Sequence, residues 1–132
     1  MERCRINHEI RNQGRHQVLW DLHRELLRLR REIRPLGDLS KEHLRLLSFE
    51  AQRVIAMFRS DREDKAIVLL CYQTTAVEFE LRVPAGNYAR IFDSAEARWL
   101  GPGAIAPRVI EATGSPVRIA LLPESVTVYL RQ

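Results

Sequence analysis

The sequence predicts a mainly β protein: one N-terminal α-helix followed by a seven- or eight-stranded antiparallel β-sandwich. Three observations carry this expectation. Apolar residues between Arg15 and Pro35 recur at spacings of three and four, the period of one helical face. Beyond His43 the period drops to two, and short apolar stretches are separated by turn residues such as Pro84-Ala85-Gly86-Asn87 and Thr113-Gly114-Ser115-Pro116. No helical pattern lies between those stretches, so the βαβ alternation of a parallel sheet is missing.

Taken in order, Glu2 to Gly14 is polar, carries a glycine and sustains no period. It reads as a leader that packs on a neighbour or stays disordered. The helix follows from Arg15 to Pro35. At about 100° per residue, Leu19, Leu22, Leu26, Leu29 and Ile33 fall within a sector roughly 80° wide. Trp20 and Leu27 lie together about 120–140° from the centre of that stripe. A helix with one apolar face needs one partner, and this one carries enough for two. Pro35 disfavours helical geometry at Arg34, and Gly37 supplies the break. Arginines in the last turns suit the negative end of the helix dipole.

Strands are expected at His43–Phe49, Val54–Arg59, Ala66–Tyr72, Val77–Val83, Tyr88–Phe92, Val109–Ala112, Val117–Leu122 and Val126–Leu130. Ser60–Lys65 reads as a charged hairpin loop. The continuous apolar run Ala66–Tyr72 suits a central strand buried on both sides. Val77–Val83 alternates strictly, with Val77, Phe79, Leu81 and Val83 inward and Glu78, Glu80 and Arg82 outward. Asp93–Pro107 contains Gly101-Pro102-Gly103 and is too rich in breakers for a strand. The chain thus divides into a leader and helix over residues 1–37 and a β-domain over residues 38–132.

The 132 residues suffice for a real core, and 45% apolar with 29% charged residues is an ordinary globular composition. No apolar run reaches the length of a membrane span, and the N-terminus lacks the apolar region of a secretory signal. Cys4 and Cys71 are far apart and read as free thiols in a reducing, cytoplasmic setting. His8, His16, His23 and His43 make no metal-ligand spacing with cysteines or acids, so neither metal nor cofactor is expected. The net charge of +4 belongs entirely to residues 1–45, which hold ten Arg and one Lys against seven acids. Those arginines are interleaved with Asp21, Glu25 and Glu32 at spacings that allow pairing across turns. This is the pattern of a solvated face or the rim of a protein interface, rather than of nucleic-acid binding.

Catalysis is tested by elimination. There is no G-x-S-x-G elbow, no P-loop and no G-x-G-x-x-G. Gly101-Pro102-Gly103 lacks the following helix and the basic residue of a phosphate cradle. Glu78 and Glu80 share a solvent face, the usual place for strand acids, and no carboxylate pair suggests itself for glycoside hydrolysis.

Several stretches nevertheless carry a resemblance. They are Arg3-x-x-Ile6-Asn7, Gly14-Arg15-His16, Leu22-His23-Arg24-Glu25-Leu26-Leu27-Arg28-Leu29-Arg30-Arg31-Glu32 and Pro35-Leu36 in the first part. In the β-domain they are Pro84-Ala85-Gly86-Asn87-Tyr88, Asp93-Ser94-Ala95 and Arg98-Trp99-Leu100-Gly101-Pro102-Gly103. In this order they resemble the C-terminal part of an α-amylase-family enzyme (glycoside hydrolase family 13), most like the malto-oligosyltrehalose trehalohydrolase group. The sequence departs from that group at Cys71, where an Asn is usual, and at His23, where an aromatic is frequent. The resemblance implies the last helix of a catalytic barrel followed by an accessory β-domain. The catalytic carboxylates of the family lie on earlier barrel strands that this sequence does not contain, so none is carried over.

Two functions follow as expectations. In the first, the domain caps or stabilises an amylase-type barrel, in cis or in trans, through Leu19, Leu22, Leu26, Leu29 and Ile33 on one helix surface and Trp20 and Leu27 on another. In the second, it binds α-glucan through surface aromatics, with Trp99 and Tyr88 as candidates. Self-association through the helix is a further way to cover the surplus apolar face.

Overall fold

The computed structural model describes residues 8–38 and 40–132, the side chains of His8 and Arg11 excepted. Cys4 and the Arg3-x-x-Ile6-Asn7 motif lie outside the described residues. A 3₁₀ turn at His8–Asn12 precedes helix α1, Gly14–Glu32, and a four-residue helix α2 follows at Arg34–Gly37. Eight strands complete the chain: β1 (Leu44–Phe49), β2 (Val54–Asp61), β3 (Asp64–Cys71), β4 (Val77–Arg82), β5 (Gly86–Asp93), β6 (Val109–Ala112), β7 (Pro116–Leu121) and β8 (Val126–Arg131).

All strand pairs are antiparallel. Six strands form one sheet in the order β1-β2-β3-β8-β5-β6, and β4 pairs with β7 in a second sheet of two. The expected mainly β, helix-plus-sandwich class is therefore what the chain adopts, as a six-plus-two arrangement. Strict alternation in β4 buries Phe79 and Leu81 against the large sheet and leaves Glu78 and Glu80 outside. Phe49 and Phe79 bridge the two sheets with ring centroids 4.8 Å apart. The core between the sheets is built from Val54, Ala56, Ile67, Leu69, Leu81, Tyr88, Ile110, Ile119, Leu121 and Tyr129 with their neighbours.

A second, smaller core lies on the other face of the large sheet, where Leu29, Phe92 and Val128 meet with Leu22, Ile33, Leu36, Val68 and Trp99 packed around them. A β-bulge in β5 adds Phe92 to this second layer. Arg90 pairs with Tyr129 and Phe92 with Val128, so Ile91 is the extra residue and Phe92 is turned to the helix side. Strand β3 is interior to the sheet, with Ile67 and Leu69 in one core and Val68 against the other, as its continuous apolar run implies.

Two expectations change in detail. Helix α1 stops one residue earlier than the proline rule suggested: Ile33, at φ −100° and ψ 104°, is the extended residue, and Arg34 and Pro35 open α2. Proline is at home there because the first turn of a helix needs no N–H from it. Gly37 permits close approach, since a Cβ there would sit 2.8 Å from the Arg30 carbonyl oxygen. The stretch Ser60–Lys65 is not a six-residue loop. β2 and β3 run on to Asp61 and Asp64, leaving only Arg62 and Glu63 to turn, with Arg62 in the left-handed region at φ 54°. Charged side chains are tolerated in these paired strand ends, so composition overstated the loop.

Candidate functional site: the outer face of helix α1 and the loop that braces it

Helix α1 lies on the large sheet by one narrow strip. Leu29 is buried at 4% exposure, and Leu22 and Ile33 are half-buried beside it. Leu19, Trp20, Leu26 and Leu27 remain 40–53% exposed, and Ile10 in the preceding turn is 40% exposed. The five-residue stripe is therefore divided: Leu22, Leu29 and Ile33 face the sheet, whereas Leu19 and Leu26 join Trp20 and Leu27 outside. A helix resting on a sheet touches it along less than the roughly 80° of the stripe, and the first turns of α1 are exposed apart from Val18.

The third sector of the helix is charged. Arg28 bonds Glu25 at 2.8 Å and also Glu32, and Arg24 lies 3.8 Å from Asp21. The hydrogen bond from Arg28 is the main reason the Glu25 carboxyl sits below the usual carboxylate range. The expected pairing across turns is realised, so α1 shows three sides: sheet-facing, exposed apolar and self-neutralised charged.

The sheet carries an exposed apolar residue of its own on the helix side. Leu46 opposes Met57, which opposes Val68, so all three share the face on which α1 lies. Leu46 is 55% exposed. It escaped the sequence reading, yet edge strand β1 carries Leu44 and Leu46 on one face and Leu47 and Phe49 on the other. A strand apolar on both sides needs cover on both.

The loop after β5 holds α1 in place. Asp93 is buried at 2% exposure; its Oδ1 accepts the Ala95 N–H at 2.9 Å and its Oδ2 the Thr127 hydroxyl at 3.2 Å, with Arg90 3.8 Å away. Burial pushes this carboxyl above the ordinary aspartate value, against the pull of those donors. Ser94 pins the loop to β8, accepting the Val126 N–H on Oγ at 2.8 Å and donating its own N–H to Val126 at 2.9 Å. Gly101 packs so tightly that a Cβ would lie 2.2 Å from the Ala95 carbonyl oxygen. The loop thus closes on itself and delivers Trp99 between sheet and helix.

Trp99 is half-buried, its ring 6.1 Å from that of Phe92 and capped by the Arg98 guanidinium at 4.6 Å. Its indole N–H is enclosed without an acceptor among the described residues. Tyr88 is fully buried, and its hydroxyl donates to the Pro84 carbonyl at 3.0 Å. Of the two candidate glucan-contact aromatics, Tyr88 is thus a core residue, the packing role its strand position also allowed. Its strand position points it between the sheets, leaving no ring face for a sugar. Within the Pro84–Tyr88, Asp93–Ala95 and Arg98–Gly103 motifs, Tyr88, Asp93 and Ala95 are buried and Gly101 packs against Ala95. Among the described residues, no three of the His, Cys, Asp and Glu side chains converge as metal ligands. Cys71 is a buried free thiol, and among the described residues no helix is long and apolar enough to cross a membrane.

No protein-family model and no curated protein matches the sequence. Solved structures do match its fold. An α-amylase from H. orenii is similar over 86% of this chain, with a TM-score of 0.59 and 16% identity, and the match covers 20% of the amylase. A GH30 endoxylanase from Clostridium papyrosolvens is similar over 65% of the chain, with a TM-score of 0.50 and 17% identity, covering 22% of that enzyme. The chain therefore spans about a fifth of the length of either enzyme, and at these identities the likeness is one of fold.

Proposed function

We propose that this chain serves as a non-catalytic accessory β-domain of an α-amylase-type glycoside hydrolase, holding a catalytic barrel through the outer face of α1. The observation that carries the reading is the division of the helix. Leu22, Leu29 and Ile33 seat it on the sheet, while Leu19, Trp20, Leu26 and Leu27 stay exposed. Exposed apolar residues grouped on one side of a helix mark an interaction site, and a barrel lacking its last helix offers the complementary groove. The fold likeness to part of an amylase supports the same partner. Affiliation with the trehalohydrolase group is the finer form of this proposal and rests on the three β-domain motifs and the helix sequence alone.

The reading predicts that a purified amylase-family barrel deprived of its last helix and β-domain binds this chain in calorimetric titration. Leu26→Asp with Leu27→Asp should weaken that binding by at least about tenfold, or ~1.4 kcal/mol. The chain alone should release no sugar from maltodextrin. Absence of binding, or hydrolysis by the chain itself, overturns the proposal.

A further inference from the structure

We infer a second binding site, a cleft for a small organic anion at the β2–β3 hairpin end of the sandwich. It occupies about 330 Å³ beside Pro84, where the chain leaves β4 and the smaller sheet ends. Its floor is apolar: Ile67 is 1% and Tyr88 0% exposed, and the Tyr88 hydroxyl is already spent on the Pro84 carbonyl. Phe58 forms one wall, with the Arg45 guanidinium carbon 4.4 Å above its ring centroid.

Three cations line this cleft, Arg45, Arg59 and Lys65, and Glu42 is the one carboxylate in its lining. Among the described residues none of the three cations lies within ion-pair distance of a carboxylate. Arg59, at the rim, turns to the helix side of β2, where Nη2 donates to the Asp38 and Ser40 carbonyls and its charge acts on the Asp38 carboxylate. Elsewhere, Arg24, Arg28, Arg90, Arg98 and Arg118 each lie within ion-pair distance of a carboxylate. A concave site with excess charge of one sign over a low-dielectric floor concentrates counter-ions. Guanidinium groups match carboxylate and phosphate oxygens in a two-pronged geometry.

The chemistry thus selects a carboxylate or phosphate head on a flat, apolar body. The head meets Arg45 and Lys65, and the body lies against Phe58. A nucleic acid fits poorly, because residues 46–132 carry no net charge to follow a phosphate backbone beyond the cleft. Arg45, Phe58 and Ile67 are opposed across β1, β2 and β3 on the face turned away from α1. The cleft is therefore independent of the proposed docking face and stays open when that face is covered.

Amide NMR titration of the whole chain tests this, using phenyl phosphate and benzoate, with inorganic phosphate and phenol as half-ligands. Saturable shifts are expected at Arg45, Phe58, Lys65 and Ile67 for at least one aryl anion, with affinity about tenfold above either half-ligand. Which aryl anion binds more tightly distinguishes a phosphate from a carboxylate source. Arg45→Gln with Lys65→Gln alters surface side chains and should keep the dispersed spectrum while reducing affinity by about tenfold or more. Phe58→Leu should erase the preference for the aryl anion over inorganic phosphate. No saturable shift into the millimolar range, shifts centred on α1, or unchanged binding by the double variant would each overturn the inference.

Discussion

Asp93 shows how one side chain turns a flexible stretch into a brace. Its carboxylate is buried and gathers the Ala95 N–H, the Thr127 hydroxyl and the more distant Arg90. Burial still dominates and holds its pKa above the ordinary aspartate value. The folded state therefore binds this proton more tightly than the unfolded chain. The contribution of Asp93 to stability falls as pH rises from the ordinary aspartate value through the raised native one. Glu25 behaves oppositely: bonded by Arg28, its pKa is lowered, so its contribution is present above the ordinary glutamate value and is lost as pH falls. Carboxyl NMR should place the Asp93 midpoint above that of free aspartate. Urea unfolding of Asp93→Asn at several pH values should lack the decline assigned to Asp93. A midpoint at or below the free value would remove this account.

At the scale of the element, α1 is a helix with one face settled and one open. Leu29 fills the contact with Phe92 and Val128, so Leu29→Ala is expected to cost about 2–4 kcal/mol in urea unfolding. Leu27→Glu, at a site 53% exposed, should stay within about 0.5 kcal/mol. Equal costs would mean that the helix sits differently on the sheet. Trp99 adds a second check on the same contact. Trp99→Ala should lose about 2–3 kcal/mol, below the range for fully buried aromatics because the ring is only half-buried. Trp99→Phe should cost less, since it keeps an aromatic ring beside Phe92 and removes an enclosed N–H without an acceptor.

For the whole molecule, the consequence of six strands facing two is uneven cover. Between the sheets the core is continuous; on the helix side Leu46 and the outer residues of α1 remain in water. A chain with such a surface is expected to associate with itself when no other partner is present. Sedimentation at several concentrations should show an average mass rising above 15.4 kDa. Leu19→Glu with Leu27→Glu should return the monomer. A strict monomer at every concentration would remove self-association and leave the barrel-docking test standing.

Periodicity was enough to identify the elements of this protein. The alternation at Val77–Val83, the apolar run after Lys65 and the three–four spacing of the leucines each reflect a local geometry of 2.0 or 3.6 residues. Local geometry follows from nearby residues, so the helix, the eight strands and the antiparallel class were legible. The same holds for the Glu25–Arg28–Glu32 pairing. What periodicity could not say is which apolar residues would be covered, because coverage depends on elements distant in the chain. Tyr88 reads as a strand residue beside a turn, open to a core or a surface place, and only the assembled core encloses it. Leu19, Leu22 and Leu26 are equivalent on a helical wheel, and only the width of the contact with Phe92 and Val128 separates them. The cleft beside Pro84 gathers Arg45, Phe58, Lys65 and Tyr88 from separate strands, so no stretch of sequence announced it. The sequence determined which elements form; tertiary packing decided which of their surfaces stay open, because burial is a property of the assembled layers.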